Sequence, residues 1–337
     1  ADKFGKMLGE NASMLDQLWT FPFAWPPLLP DGVSAVDKDT LKKVIKESTM
    51  EANYSVTIAE EGSLIDVNDL GSPVKALQES TKAQLLNIFE NKKNNDEEWA
   101  KSHQDISPER LVNNMIDWVT VGPDSLNGGD KSQYYKGRPG EWPPQRPFRT
   151  VGEVRLVADM DDDLFGILKS HITVYGSKII NPNIASKDVL KSLSPQITDE
   201  IAGQIVDHRE GKEEKGGAKG GPFKSVDEFL AYLNSKNVTI EKNSPIVGVL
   251  AIENPHSFRI HSNGLYGKSI VDIEAVVYDL DKIKNRVKTM YAKELPTPTP
   301  TPGQTVGGPP PPPPAPTPPP TNSTSKGRPQ VVYWNEK

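Results

Sequence analysis

The chain contains no cysteine. That absence excludes a disulfide framework, thiolate catalysis and zinc held by thiolates. No apolar run is long enough to span a bilayer, and Ala1 opens directly into a charged, amphipathic segment without a signal-peptide pattern. The sequence as given therefore reads as a soluble chain. Positive charge is in short supply too: 45 acidic against 39 basic side chains give a net charge of −6, which works against a phosphate backbone.

Catalytic signatures are missing as well. The five histidines, His103, His171, His208, His256 and His261, form no HExxH helix and no pair at zinc spacing. There is no nucleophile elbow and no phosphate loop, and "GGAKGG" at 216–221 reads as linker. "ADMDDDLF" starts like an EF-hand, but Leu164 stands where glycine is needed and Ser170 where a bidentate glutamate belongs. It reads as a charged helix start. No enzyme is indicated.

At 337 residues the chain suggests two domains plus tails. Phe4, Met7, Leu8, Met14, Leu15, Leu18 and Trp19 recur near helical spacing and predict an amphipathic helix, which "TFPFAWPPLLPDG" ends. Tyr54, Val56 and Ile58 alternate with polar residues as in a strand. From Pro73 to Ser244 the apolar period is helical. Beyond Pro245, "PIVGVLAI" and "SFRIHSNGLYGKSIVDIEAVVYDL" read as strands, with Asn263–Gly264 as a tight turn, while "DKIKNRVKTMYAKEL" fits helix or strand. The proline-rich stretch 296–327 has little to bury and reads as an extended loop, after which "RPQVVYWNEK" returns to a sheet edge.

Strand signals at both ends with helices between them predict an α+β fold: a discontinuous sheet domain, 1–72 and 245–337, carrying an inserted helical domain, 73–244. Within that helical part, "LIDVNDLGSPVKAL" and "IINPNIASKDVLKSL" match each other, Ile65, Asp66 and Asn68 corresponding to Ile180, Asn181 and Asn183. Asn68, Asp69, Ser72 and Ser186 are expected to cap the helices that follow. "KIINPNIASKDVLKSLSPQITDEIAGQIVDHR" is a helix-hairpin-helix of the SAM-like kind, and one reading of it is a DNA-binding module. Its turn has no glycine, and Asp199 and Glu200 occupy the helix start where a phosphate would sit.

Five segments, "EEGSLIDVNDL", "LVNNMIDWVTVGPDSLNGGDKSQYY", "PFRTVGEVRLVADMDDDLFGIL", "HITVYGSKIINPNIASKDVLKSLSPQITDEIAGQIVDHR" and "GPFKSVDEFL", resemble in order and spacing the K subunit family of minor pseudopilins in type II secretion. The resemblance spans roughly residues 60 to 230. It implies a pseudopilin-type N-terminal helix and antiparallel sheet with the large helical domain inserted, anchored in the bacterial inner membrane by an apolar segment upstream of residue 1 and projecting into the periplasm. It also implies assembly with the I and J minor pseudopilins at the pseudopilus tip, for which Phe4, Met7, Leu8, Leu15, Leu18 and Trp19 are the expected interface. Calcium binding is implied too, in the loop after the "DW" pair, where Asp117, Thr120, Asp124 and Asp130 offer hard oxygens. Lys131 departs from the family pattern at a position where an acid is usual.

Overall fold

The computed structural model describes residues 23–26, 39, 42–43, 45–49, 51–136, 142–212, 219–252, 257–294 and 330–336. The segment 1–22 and the proline-rich stretch 296–327 lie outside the described residues.

Alternation of apolar and polar side chains produces a five-stranded antiparallel sheet. Its strands are β1 (Phe23–Trp25), β2 (Asn53–Glu60), β5 (Ser257–Tyr266), β6 (Ser269–Tyr278) and β7 (Gln330–Glu336), adjacent in that order. The register puts Tyr54, Val56, Ile58, Phe258, Ile260, Val271, Ile273, Ala275, Val277 and Trp334 on one face. The other face carries Thr57, Arg259, His261, Asp272, Glu274 and Tyr278. β7 pairs with β6 at the sheet edge, as the sequence pattern after the proline-rich stretch predicts.

Between β2 and β5 the chain is mainly helical. In order come β3 (Ile65–Asp66), α1 (Lys75–Asn95), α2 (Glu97–Ser102), α3 (Pro108–Val119), α4 (Asp162–Leu168), β4 (Ile172–Thr173), α5 (Lys187–Ser192), α6 (Asp199–Arg209), α7 (Val226–Ser235) and α8 (Pro245–Val249). β3 and β4 form a small parallel pair. α1 places Leu77, Leu85, Ile88 and Phe89 inward at three- and four-residue spacing. α3 starts where Ser107 accepts from the Arg110 amide and Pro108 needs no donor. It buries Leu111, Met115 and Trp118, each contributing about 1.5–3 kcal/mol or more by leaving water. Asp161 caps α4 through the Leu164 amide, so the acidic run around it is indeed a helix start.

Three expectations need correction. Pro245–Val249 is helical, not a strand: Pro245 occupies the first turn, and Ile246 and Val249 are buried against the helices. An unbroken apolar run does not distinguish the two states by period. The hairpin turn is Gly267–Lys268, because Tyr266 pairs with Ser269 while Asn263 and Gly264 lie within β5. Gly267 has φ +59°, the positive value a two-residue hairpin loop requires at its first position. Finally, Ile65, Val67, Leu70, Ile246 and Leu250, which fall within 1–72 and 245–337, have their side chains in the helical core. "DKIKNRVKTMYAKEL" resolves to helix α9 (Leu280–Glu294), whose Glu294 carboxylate accepts from the Lys75 and Ala76 amides at the start of α1.

Candidate functional site

The loop after α3 closes on the helix that precedes it. Asp117, in the last turn of α3, is buried, and its carboxylate accepts from the Ser125 hydroxyl at 2.5 Å and the Leu126 amide at 3.2 Å. Asp124 and Asp130 bridge each other across the loop neck. Both are exposed, and Asp130 Oδ1 accepts from the Ser132 amide and hydroxyl, which holds its carboxyl below the usual range. Gly128 and Gly129 turn the tip with φ of +93° and +71°. Tyr134 Oη donates to the Asn127 and Gly128 carbonyls and pins the tip down.

The centre of this loop is Lys131, which is only 3% exposed. Its Nζ donates to the carbonyls of Asp117 at 3.1 Å and Thr120 at 2.8 Å, and to Thr120 Oγ1 at 3.0 Å. These acceptors sit at the C-terminus of α3, where helix carbonyls lack internal partners and the dipole favours a cation. Burial draws the Lys131 pKa down, and the Asp117 and Asp124 carboxylates oppose that. Calcium needs six to eight oxygens at about 2.3–2.6 Å. Of the four residues expected to supply them, Asp117 and Thr120 are engaged with Ser125, Leu126 and Lys131, and Asp124 and Asp130 stand at the solvent side. Among the described residues no three acidic or histidine side chains converge as metal ligands. The residues present do not fit a calcium ion.

The repeated asparagine turn has a structural counterpart that the helix-capping reading missed. Asp66 Oδ1 accepts from the Asn68 amide and Asn181 Oδ1 from the Asn183 amide, each at 3.0 Å. That frees the asparagine side chains for distant work. Asn68 accepts from the Phe148 amide and donates to the Phe148 and Val174 carbonyls. Asn183 accepts from the Phe223 amide and donates to the Phe223 carbonyl. The two phenylalanines stand in matching segments, "PFRTVGE" (147–153) and "PFKSVDE" (222–228). In each, the glutamate accepts from the amide just after the phenylalanine, Arg149 to Glu153 and Lys224 to Glu228. The helical region is thus built from two copies of one latch. That second heptapeptide match was the signal available in the sequence. Of the expected caps, Ser186 does cap α5 and Ser72 accepts from the Val74 amide.

At the hairpin, Thr198 caps α6 through the Ile201 amide, and Asp199 and Glu200 fill its first turn. Lys191 bonds Asp199 and Asp188. Arg209 turns inward onto the Pro182 and Ala185 carbonyls, away from any partner in solvent.

Two charged clusters stand where helices meet sheet. Arg259 on β5 bonds both the buried Glu61 and the cross-strand Glu274. Lys178 lies between the buried Asp66 and Asp69. Tyr278 on β6 donates to the Gly176 carbonyl at 3.2 Å, and Tyr175 packs against both Tyr278 and Tyr333. Phe4, Met7, Leu8, Leu15, Leu18 and Trp19, the expected assembly interface, lie outside the described residues.

Models of the family "Type II secretion system (T2SS), protein K" match residues 63–177 and 180–249, together more than half of the chain. The first span contains the Asn68–Phe148 latch and the second the Asn183–Phe223 latch. The chain belongs to the type II secretion system protein K family, whose members are minor pseudopilins. No curated protein matches the chain. A solved structure similar to it is the crystal structure of the GspK-GspI-GspJ complex from the enterotoxigenic Escherichia coli Type 2 Secretion System, with 17% identity, 70% of this chain and 78% of that chain covered, and a TM-score of 0.49. The family match does not favour the DNA-binding reading.

Proposed function

We propose that this minor pseudopilin works by assembly, not catalysis, with its helical region forming the bulky tip of the type II secretion pseudopilus. Its partners are minor pseudopilins of the I and J type. In this reading the sheet and the N-terminal segment form a pseudopilin-type domain into which the helical domain is inserted. The full-length protein is periplasmic and held in the inner membrane by a segment upstream of residue 1. No helix among the described residues is itself long and apolar enough to cross a membrane.

The observation that carries this reading is the two-sidedness of the sheet. One face takes the helical region through Arg259, Tyr278 and Tyr333. The opposite face is mainly apolar, interrupted by Ser262 and Gly264; Tyr54, Val271 and Trp334 remain exposed on it, and none of its side chains joins the described core clusters. An apolar sheet face of this kind must be covered. Phe4, Met7, Leu8, Leu15, Leu18 and Trp19 supply an amphipathic segment suited to cover it and to pack beside equivalent segments of the partners.

The test is to mix the purified chain with its cognate I- and J-type minor pseudopilins and measure the mass of the product by light scattering. A ternary complex is expected, weakened in a Leu8→Asp, Leu15→Asp variant. A wild-type chain that stays alone in the mixture refutes the proposal.

A further inference from the structure

We propose that the Lys131 ammonium is the built-in cation of the loop after α3, occupying the oxygen cage that a divalent ion would otherwise fill, so that this chain holds the loop closed without metal. Three features carry the inference.

The first is stoichiometric. An ammonium has three donors, and Lys131 finds three oxygens, the Asp117 and Thr120 carbonyls and Thr120 Oγ1, at 2.8–3.1 Å. Those distances suit N–H···O bonds and exceed calcium–oxygen contacts. The second is charge. One buried carboxylate, Asp117, stands against one buried cation. A divalent ion calls for further acids, and Asp124 and Asp130 face solvent, with Asp130 spent on Ser132. The third is what the cation organises. The Lys131 amide also donates to the Pro123 carbonyl at 2.8 Å, so one residue ties the returning strand of the loop to its outgoing strand and to the end of α3. Ser125 and Leu126 then bond Asp117, and the Asn127 amide donates to Ser125 Oγ. Burial lowers the Lys131 pKa and the Asp117 and Asp124 carboxylates oppose that, so the ammonium has negative charge nearby as well as these three oxygens.

Thermal melts of the whole chain in EGTA and in about 1 mM CaCl2 provide the test, since a ligand bound to the folded state at 100-fold excess over its dissociation constant raises the melting temperature by several degrees. Wild type is expected to melt at the same temperature in both buffers and to give no saturable calcium heat by calorimetry. Lys131→Met should melt lower in both buffers and be nicked by protease within 121–130. Lys131→Glu should melt lower in EGTA and recover in CaCl2, because a carboxylate at this position turns the cage into a metal site. Saturable calcium binding or a melting shift of about 5 °C in wild type overturns the proposal. So does a Lys131→Met variant as stable as wild type, or a folded Lys131→Glu variant indifferent to calcium. The wild-type measurement stands even if neither variant folds.

Discussion

Asn68 and Phe148, 80 residues apart, are bonded in both directions: the Phe148 amide donates to Asn68 Oδ1 at 2.7 Å, and Asn68 Nδ2 donates back to the Phe148 carbonyl at 3.0 Å. A side-chain amide here stands in for a strand neighbour. Asn183 and Phe223 repeat the arrangement 40 residues apart, so the latch is the unit from which the helical region is made.

Truncating the latch should therefore destabilise the fold in proportion to the bonds lost. Asn68→Ala removes three bonds to main-chain groups and should cost about 2–3 kcal/mol; Asn183→Ala removes two and should cost about 1–2 kcal/mol. Urea denaturation measures both. Equal, negligible losses would show that water replaces the asparagines without penalty.

One ammonium facing two buried carboxylates makes stability depend on pH. Burial pushes the Asp69 carboxyl up from 3.8 to about 7, the negative Asp66 adding to the rise and Lys178 opposing it. Burial alone would lower the Lys178 pKa, but Asp66 and Asp69 outweigh it and hold the ammonium charged well above its ordinary value. Because the folded carboxyl of Asp69 binds its proton more tightly than the unfolded one, its contribution is present at low pH and declines as pH rises through the window from 3.8 to about 7. Asp69→Asn removes that slope. The difference in unfolding free energy between wild type and Asp69→Asn should shift against wild type as pH rises from acid to neutral. A difference that stays flat across this range would contradict the assignment.

Arg259 is the charged clamp between sheet and helices. Arg259→Ala leaves Glu61, 1% exposed, without its counter-charge, and should cost about 3–5 kcal/mol. The paired change Arg259→Met, Glu61→Gln should recover much of the loss, since it removes the stranded charge. Guanidinium denaturation of the single and double variants gives the comparison, and a double variant worse than the sum of its parts would refute it.

Much of this architecture is legible from side-chain period. Tyr54, Val56 and Ile58 mark β2, and Val331 to Trp334 mark the edge strand beyond the proline-rich stretch, because alternation and β-preference are local properties. Pro245–Val249 was illegible for the opposite reason: its state is set by what it packs against, Ile246 and Val249 filling space among the helices, and five apolar residues carry no period of their own. The hairpin turn misled because asparagine followed by glycine is a strong turn signal, yet pairing of β5 with both β2 and β6 holds Asn263 and Gly264 extended. In the candidate site the acids around Asp117 were visible, but their orientation was not. Only the structure shows that Lys131 turns inward while Asp124 and Asp130 turn out.

Arg259 on β5 meets Glu61, the first residue beyond β2, across 198 residues of chain, and the entire helical region departs and returns between them. Closing so wide a circuit from a disordered chain is entropically slow, whereas the latched helices need only shorter circuits. The order of events that follows is that the helical body condenses first and delivers both of its ends to one spot. Only then can β2 zip onto β5, which makes the insert the organiser of that long-range pairing.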